Sequence, residues 1–285
     1  MDAPLPEDVR TPKALVDTLR YLIFKIVVNT PWHECHGFIR DRTRSIRQDF
    51  TYQNYEGEEA VICTEIIARF HILALHMMCE QPDNQEYMEL EQLDKSLTTL
   101  GFIYLDGQIP DADENRKVFP NEPEFRAYTI LRHLRDRYVE KDDIRKWPAE
   151  VVHSNRVQHA LRIYQAVQRY DRATNYGFHA QHYVKTFFKL VKSKETDFIT
   201  ACLLQVYFPE IRRFSLKTMV ENYMKTSKMT SIEFIKDFLC YESVEQVEHE
   251  IRHYGLSIAE HSADGVPFFY LIPGKGAFDG EIAVV

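Results

Sequence analysis

The chain has 285 residues, 45% of them hydrophobic and 27% charged, with a formal net charge of −8. That balance fits an ordinary globular chain long enough to bury a large core as one long domain or two. With a pI near 5.9, it argues against a strong stand-alone nucleic-acid binder, which would usually be basic. Few Gly (10) and Pro (12) favour helices over a turn-rich β fold. The cysteines Cys35, Cys63, Cys79, Cys202 and Cys240 are odd in number, scattered and never spaced Cys-x-x-Cys. A disulfide framework is not expected, and the compartment is reducing, cytosol or nucleus. No run reads as long and apolar enough to span a bilayer. The start, Met1 to Glu7, lacks the basic and apolar regions of a signal peptide.

In chain order, Thr11 and Pro12 set up an N-cap and a first helical position. Leu15, Leu19, Leu22 and Ile26 form that helix's stripe, and Asn29 to Pro31 end it. The next helix carries Ile39, Thr43, Ile46 and Phe50 at i, i+4, i+7 and i+11, one face of a helix. Arg40, Arg44 and Arg47 line one flank of the stripe; Arg42 and Asp49 line the other. A guanidinium is a rigid fork of donors that binds carboxylates, carbonyls and phosphates in fixed geometry. These arginines either tie neighbouring helices together or face a partner.

A third helix is expected over Glu58 to about Glu80, burying Val61, Ile62, Ile66, Phe70, Leu73 and Met77. Residues 81 to 84 break the pattern, and a fourth helix runs from Glu86 to Leu105 with Leu90, Leu93, Leu97 and Leu100 inward. Asp106 to Glu122 has no period and reads as an exposed loop. Helices resume over Glu124–Tyr138, Val151–Tyr170, Thr174–His182, Val184–Val191 and Asp197–Tyr207. Helices at this short spacing predict an irregular antiparallel array of the tetratricopeptide-like sort over residues 1–210.

After Pro209 the character changes. A helix over Ser215–Lys225 precedes two capping boxes, Thr230 to Glu233 and Ser243 to Gln246, each opening a further helix. Then Leu256–His261 and Val266–Ile272 flank Asp264-Gly265, a strong hairpin turn. Three short helices and a hairpin predict a winged helix over residues 211–285. The fold class is therefore mostly α, a helical array followed by a winged helix, the PCI-like architecture.

The charge is uneven. Arg145 to Lys194 holds ten basic and two acidic side chains, an excess of +8, which leaves −16 for the rest of the chain. Such asymmetry means different faces for different partners. Lys185, Lys189 and Lys192 make one lysine stripe, and Arg212, Arg213, Lys217, Lys225 and Lys228 cluster near the first winged-helix segment. These are the candidate nucleic-acid contacts, gripping phosphate without reading sequence; a solvated helix face is the alternative. The last helix carries Glu245, Glu248 and Glu250, which makes groove reading by it unfavourable. Phe268, Phe269 and Tyr270 follow one another on a strand, so alternation sends one to the outer face as a partner anchor or under a neighbouring helix. His33 and His36 do not match a zinc spacing, and no nucleophile or phosphate-loop motif occurs, so no metal, cofactor or enzymatic activity is expected.

The run Arg40-Asp-Arg-Thr-Arg-Ser-Ile-Arg-Gln-Asp-Phe-Thr-Tyr-Gln-Asn54, with Asn175-Tyr176 and Tyr183 to Val191, resembles the Sac-three/GANP family over roughly Thr11 to Phe269. These are scaffold subunits of the second TREX complex, which couples transcription to mRNA export. The resemblance implies a nuclear scaffold near the pore, paired through its winged helix with a PCI-domain subunit and joined by a short acidic Sem/DSS-type peptide. It implies a shared, non-specific RNA-binding surface and contacts with pore and transcription machinery, but no membrane. A paralogous scaffold in transcription elongation or at the centrosome carries the same central domain, and a hydrolase or nuclease hidden in the array is the reading from another class. The family's nucleoporin-like repeats and long centrin-binding helix do not occur in this sequence, so a portion of a longer subunit is expected.

Overall fold

A computed structural model describes residues 6–81, 85–109, 117–136, 144–173, 180–223, 230–263 and 266–272. The fold is mostly α. Helix α1 (Pro12–Tyr21) starts where Thr11 accepts from the Ala14 N–H, then continues as a π-helical stretch over Leu22–Val27. Next come α2 (Trp32–Tyr52), α3 (Glu58–Met77), α4 (Glu86–Asp106) and α5 (Glu122–Arg132). The short α6 (Ala149–Val152) precedes α7 (Asn155–Ala173), α8 (Ala180–Val191) and α9 (Phe198–Gln205). Helix α10 (Phe208–Tyr223) leads to strand β1 (Thr230–Ser231), α11 (Ile232–Leu239), α12 (Val244–His253), β2 (Ser257–Ala263) and β3 (Val266–Ile272).

The chain divides into two compact units: Met1–His133 with Tyr138–Ala160 and Asp197–Val206, and Leu134–Arg137 with Leu161–Thr196 and Tyr207–Val285. The break expected at residue 210 is therefore not one cut in sequence. Residues 161–196, read with the array, cluster with the C-terminal segment.

In the first unit, Leu15, Leu19 and Leu22 pack with Ile39, Ile46, Phe50, Ile67 and Phe70 into one apolar cluster. The stripe read on α2 is buried throughout, at Ile39, Thr43, Ile46 and Phe50. Helix α3 departs from expectation. Ile62 and Met77 are exposed, whereas Cys63, Ile67, Ala68, His71 and Ala74 are buried. Neighbours cover α3 on most sides, so no single stripe marks its inner face. By length and composition α3 does reach what a bilayer crossing needs, contrary to the reading above. Of its most apolar window, 67% is buried inside the fold. It also holds the buried polar side chains Thr64, Glu65 and His71. These are features of a core helix.

Buried polar groups need partners, and the first unit supplies several of them. Glu65 accepts from the Tyr104 hydroxyl at 3.0 Å and from Asn121 at 2.7 Å. Arg69 grips Glu124 with both prongs of its fork, at 2.7 and 3.0 Å, and Tyr128 donates to the same carboxylate. Burial raises Glu65 above the ordinary carboxylate range, while the bonds from Arg69 hold Glu124 below it despite burial.

In the second unit, α8 packs against α10 and α11, and the sheet has the order β1-β3-β2, antiparallel throughout. Ala263 pairs with Val266, and the register runs out to Ser257 with Ile272. Asp264-Gly265, the expected turn, lies outside the described residues. The sequence did not signal β1. Because Thr230 pairs with Leu271, the cap of α11 moves one residue on, to Ser231, whose hydroxyl accepts from the Phe234 N–H at 3.1 Å. Ser243 caps α12 as read. Gly255, at φ 70, closes α12 with the Leu256 N–H bonded to the Ile251 carbonyl, a left-handed position that suits glycine. The expected helix over Thr174–His182 falls mostly outside the described residues.

Candidate interaction surfaces

Helix α8 separates its faces sharply. Val184, Phe187 and Phe188 are buried. Both phenylalanine rings meet Phe208 of α10 edge-on, at 6.1 and 5.4 Å between centroids. Spaced at i, i+4 and i+7, Lys185, Lys189 and Lys192 are exposed, and none of their side chains has an ion pair or hydrogen bond among the described residues. The aromatic pair fixes the helix, so the stripe faces water as a row of unpaired cations. Lys189 and Lys192 also stand at the helix C-terminus, where the backbone dipole favours positive charge.

The arginines of α10 differ. Arg212 donates from Nε to the Leu239 carbonyl at 3.0 Å and from Nη2 to the Cys240 carbonyl. Its guanidinium stacks over Tyr241 at 4.0 Å and Phe208 at 5.3 Å. Cys240 sits at φ 60, so the end of α11 turns sharply and leaves carbonyls for this arginine to satisfy. Arg212 is therefore a structural clamp, tied by two donors to these carbonyls and stacked on two rings. Arg213 lies over Phe214 at 4.9 Å. Lys217 is exposed on the same helix. Lys225 and Lys228 lie outside the described residues.

Helix α12 carries exposed Glu245 and His249, with Glu248 held by Arg252 at 3.1 Å. Glu250 accepts from the Tyr241 hydroxyl. The exposed part of this helix is thus acidic at Glu245, with Glu248 neutralised by Arg252. Phe268, Phe269 and Tyr270 occupy β3, the central strand, opposite His261, Glu260 and Ala259 of β2. Tyr270 also pairs with Ser231 of β1.

In the first unit the flank arginines of α2 meet α4. Arg40 donates to Gln85 Oε1 at 3.0 Å and lies 3.6 Å from Glu89. Arg47 donates to Gln92. Burial, then the nearby Arg44 charge, pushes the Arg47 guanidinium down to about 10. Arg44 is exposed. On the opposite flank Arg10 reaches Asp49 at 2.7 Å and Ser45 at 2.8 Å, while Arg42 covers the Phe38 ring at 5.9 Å.

Glu89 is the centre that the sequence analysis passed over. It is 0% exposed and accepts from His36 Nε2 at 2.9 Å and His71 Nδ1 at 2.7 Å. Burial alone would raise it; the two imidazoles outweigh burial and hold it down at about 2. For His71, burial dominates and lowers the imidazole. A signal existed, since Glu89 precedes Leu93 and Leu97 by four and eight residues and so stands in register with the buried stripe of α4. His36, near the start of α2, is thus a partner of Glu89, and among the described residues no group of His, Cys, Asp and Glu side chains is arranged to hold a metal ion.

A family model described as the SAC3/GANP family matches residues 1–260. The chain is 38% identical over 270 residues to SAC3 family protein 1 of Schizosaccharomyces pombe, covering 91% of this chain and 26% of that protein. It is 30% identical over 272 residues to Protein xmas of Drosophila melanogaster, covering 91% and 12%. It is 25% identical over 268 residues to SAC3 family protein B of Arabidopsis thaliana, covering 88% and 14%. The chain thus spans about a quarter or less of the length of these relatives. The family match reaches from α1 through α12 and takes in both the arginine helix and the lysine helix, so the chain belongs to the SAC3/GANP family.

Proposed function

We propose that this chain is a platform within a longer nuclear scaffold subunit that couples transcription to mRNA export. Its helical array is of the tetratricopeptide-like sort, and α10, α11 and α12 with the three-stranded sheet form a winged helix in a PCI-like arrangement. The winged helix pairs with a PCI-domain subunit, with Phe268, Phe269 and Tyr270 as the anchor, and a short acidic Sem/DSS-type peptide completes the assembly. Arg44 on α2 serves a second partner-facing surface. Lys185, Lys189, Lys192 and Lys217 contribute to a non-specific RNA surface that the partner extends, at the pore-facing side of the nuclear envelope.

The observation that carries this reading is the unpaired lysine row of α8, held outward by Phe187 and Phe188. Cations that meet no acid among the described residues are free to release counterions on a phosphate backbone. The acidic total of the chain explains why a partner is needed for the rest of the surface. The test is a titration of labelled RNA against the chain alone and against its heterodimer at several salt concentrations. Binding should weaken steeply with salt and tighten in the heterodimer. Affinity that ignores salt, or that survives Lys185→Glu with Lys189→Glu, would remove the RNA role.

A further inference from the structure

Along one flank of α2 three arginines follow at i, i+4 and i+7, yet their charges are answered unequally. Arg40 stands 3.6 Å from the Glu89 carboxylate. Arg47 has only a neutral amide, Gln92, and its Nε is buried with no hydrogen-bond partner. Arg44, one turn away and exposed, makes no ion pair or hydrogen bond among the described residues. The acid that most clearly feels Arg44 is Glu91 of α4, and that carboxylate is held by Lys95 at 2.6 Å. Two like charges on adjacent turns, one half-buried, therefore share a seam whose acids are already engaged, Glu89 by His36, His71 and Arg40 and Glu91 by Lys95. Such an arrangement is unfavourable unless something outside completes it.

We propose that Arg44 and Arg47, in the seam between α2 and α4, form a subsite for a phosphomonoester on a partner protein, a phosphoserine or phosphothreonine. The proposal deepens the partner-facing role given to α2 and rests on it. The charge selects the ligand. A phosphomonoester carries close to two negative charges and several strong acceptor oxygens, matching two forks with idle donors. A single carboxylate would leave one of the two cations unanswered. A nucleic-acid strand fits less well. Each of its phosphodiesters carries a single charge, and Glu91, the acid beside Arg44, repels a long polyanion.

The test titrates the purified chain with phosphoserine, inorganic phosphate and free glutamate at constant ionic strength, reading the melting temperature and heat of binding. Phosphoserine and phosphate should bind saturably, and glutamate about tenfold more weakly. Arg44→Gln should weaken phosphoserine about tenfold, the size expected for one charge-assisted bond. Arg42→Gln, on the opposite flank, should leave it unchanged and so controls for charge alone. If Arg47→Lys fails to fold, Arg44→Gln still decides the matter. Equal losses in the two variants, or no saturable binding, would overturn the subsite while leaving protein docking on α2 to be tested by pull-down. A short RNA oligomer that displaces phosphoserine in an Arg44-dependent manner, and binds more tightly, would also overturn it.

Discussion

The arginine flank of α2 and the lysine face of α8 carry similar charge patterns at the same helical spacing, yet they do different work. Arg40 and Arg47 are drawn against α4, where Gln85, Glu89 and Gln92 receive them. The side chains of Lys185, Lys189 and Lys192 are exposed and make no ion pair or hydrogen bond among the described residues. A guanidinium is weakly hydrated and directional, so it can be built into a packed seam, whereas an ammonium on a flexible stem keeps its water and stays at the surface. What packs beside the helix therefore separates Arg40 and Arg47, held in a seam, from Arg44 and the lysines, left exposed, when periodicity does not.

Glu89→Gln breaks the comparison hardest. It leaves His36 and His71 donating into a neutral amide and Arg40 without its counter-charge. A loss of about 3–5 kcal/mol is expected, the usual result of deleting one partner of a buried charged cluster. Urea unfolding followed by circular dichroism measures it, and a wild-type midpoint would mean that the seam is not what ties α2 and α3 to α4.

Next comes Arg212→Met, which keeps the stem over Tyr241 but strands the carbonyls of Leu239 and Cys240. About 1.5–3 kcal/mol should be lost, with hydrogen exchange rising at the end of α11. Unchanged protection there would return Arg212 to the pool of free cations.

Acidification should act on the seam and spare the lysines. His71 is lowered in the folded chain from its ordinary 6.5, so its contribution is complete above that value and fades as pH falls below it. Glu89 is lowered from 4.5 to about 2, so its contribution is present above 4.5 and fades between those values. Both groups bind more protons when unfolded, and stability should decline on going from pH 7 toward pH 3. In Glu89→Gln the part of the decline below pH 4.5 should be smaller; an identical slope would remove Glu89 as its source.

The smallest effect on stability belongs to Lys185→Glu with Lys189→Glu, within about 0.5 kcal/mol for surface positions of this kind. Their RNA affinity should drop, with the salt slope reduced by roughly two. A large stability loss instead would show that the stripe is part of the packing.

The buried stripes of α1 and α2, the Thr11 and Ser243 caps and the lysine row were legible in the sequence because each depends on spacing within one element. The family resemblance rode on the same local run, Arg40 to Asn54. Ile62 and Met77 were misplaced because α3 is enclosed by neighbours that its own sequence does not name. Strand β1 was invisible because two residues become a strand only when Leu271 and Tyr270 arrive beside them.

The sequence by itself determined the helical class, the caps at Thr11 and Ser243 and which helices bear cations, whereas α10 starts at Phe208, seven residues before the expected Ser215. Only the tertiary structure decided which cations are free. The pairing of Arg40 with Glu89, 49 residues apart, and of Arg212 with the carbonyl of Cys240, 28 apart, depends on helix packing. Charge on a helix is fixed by side-chain order. Whether that charge is satisfied depends on what packs beside it, because burial sets both the cost of an unpaired ion and the strength of the bond that relieves it.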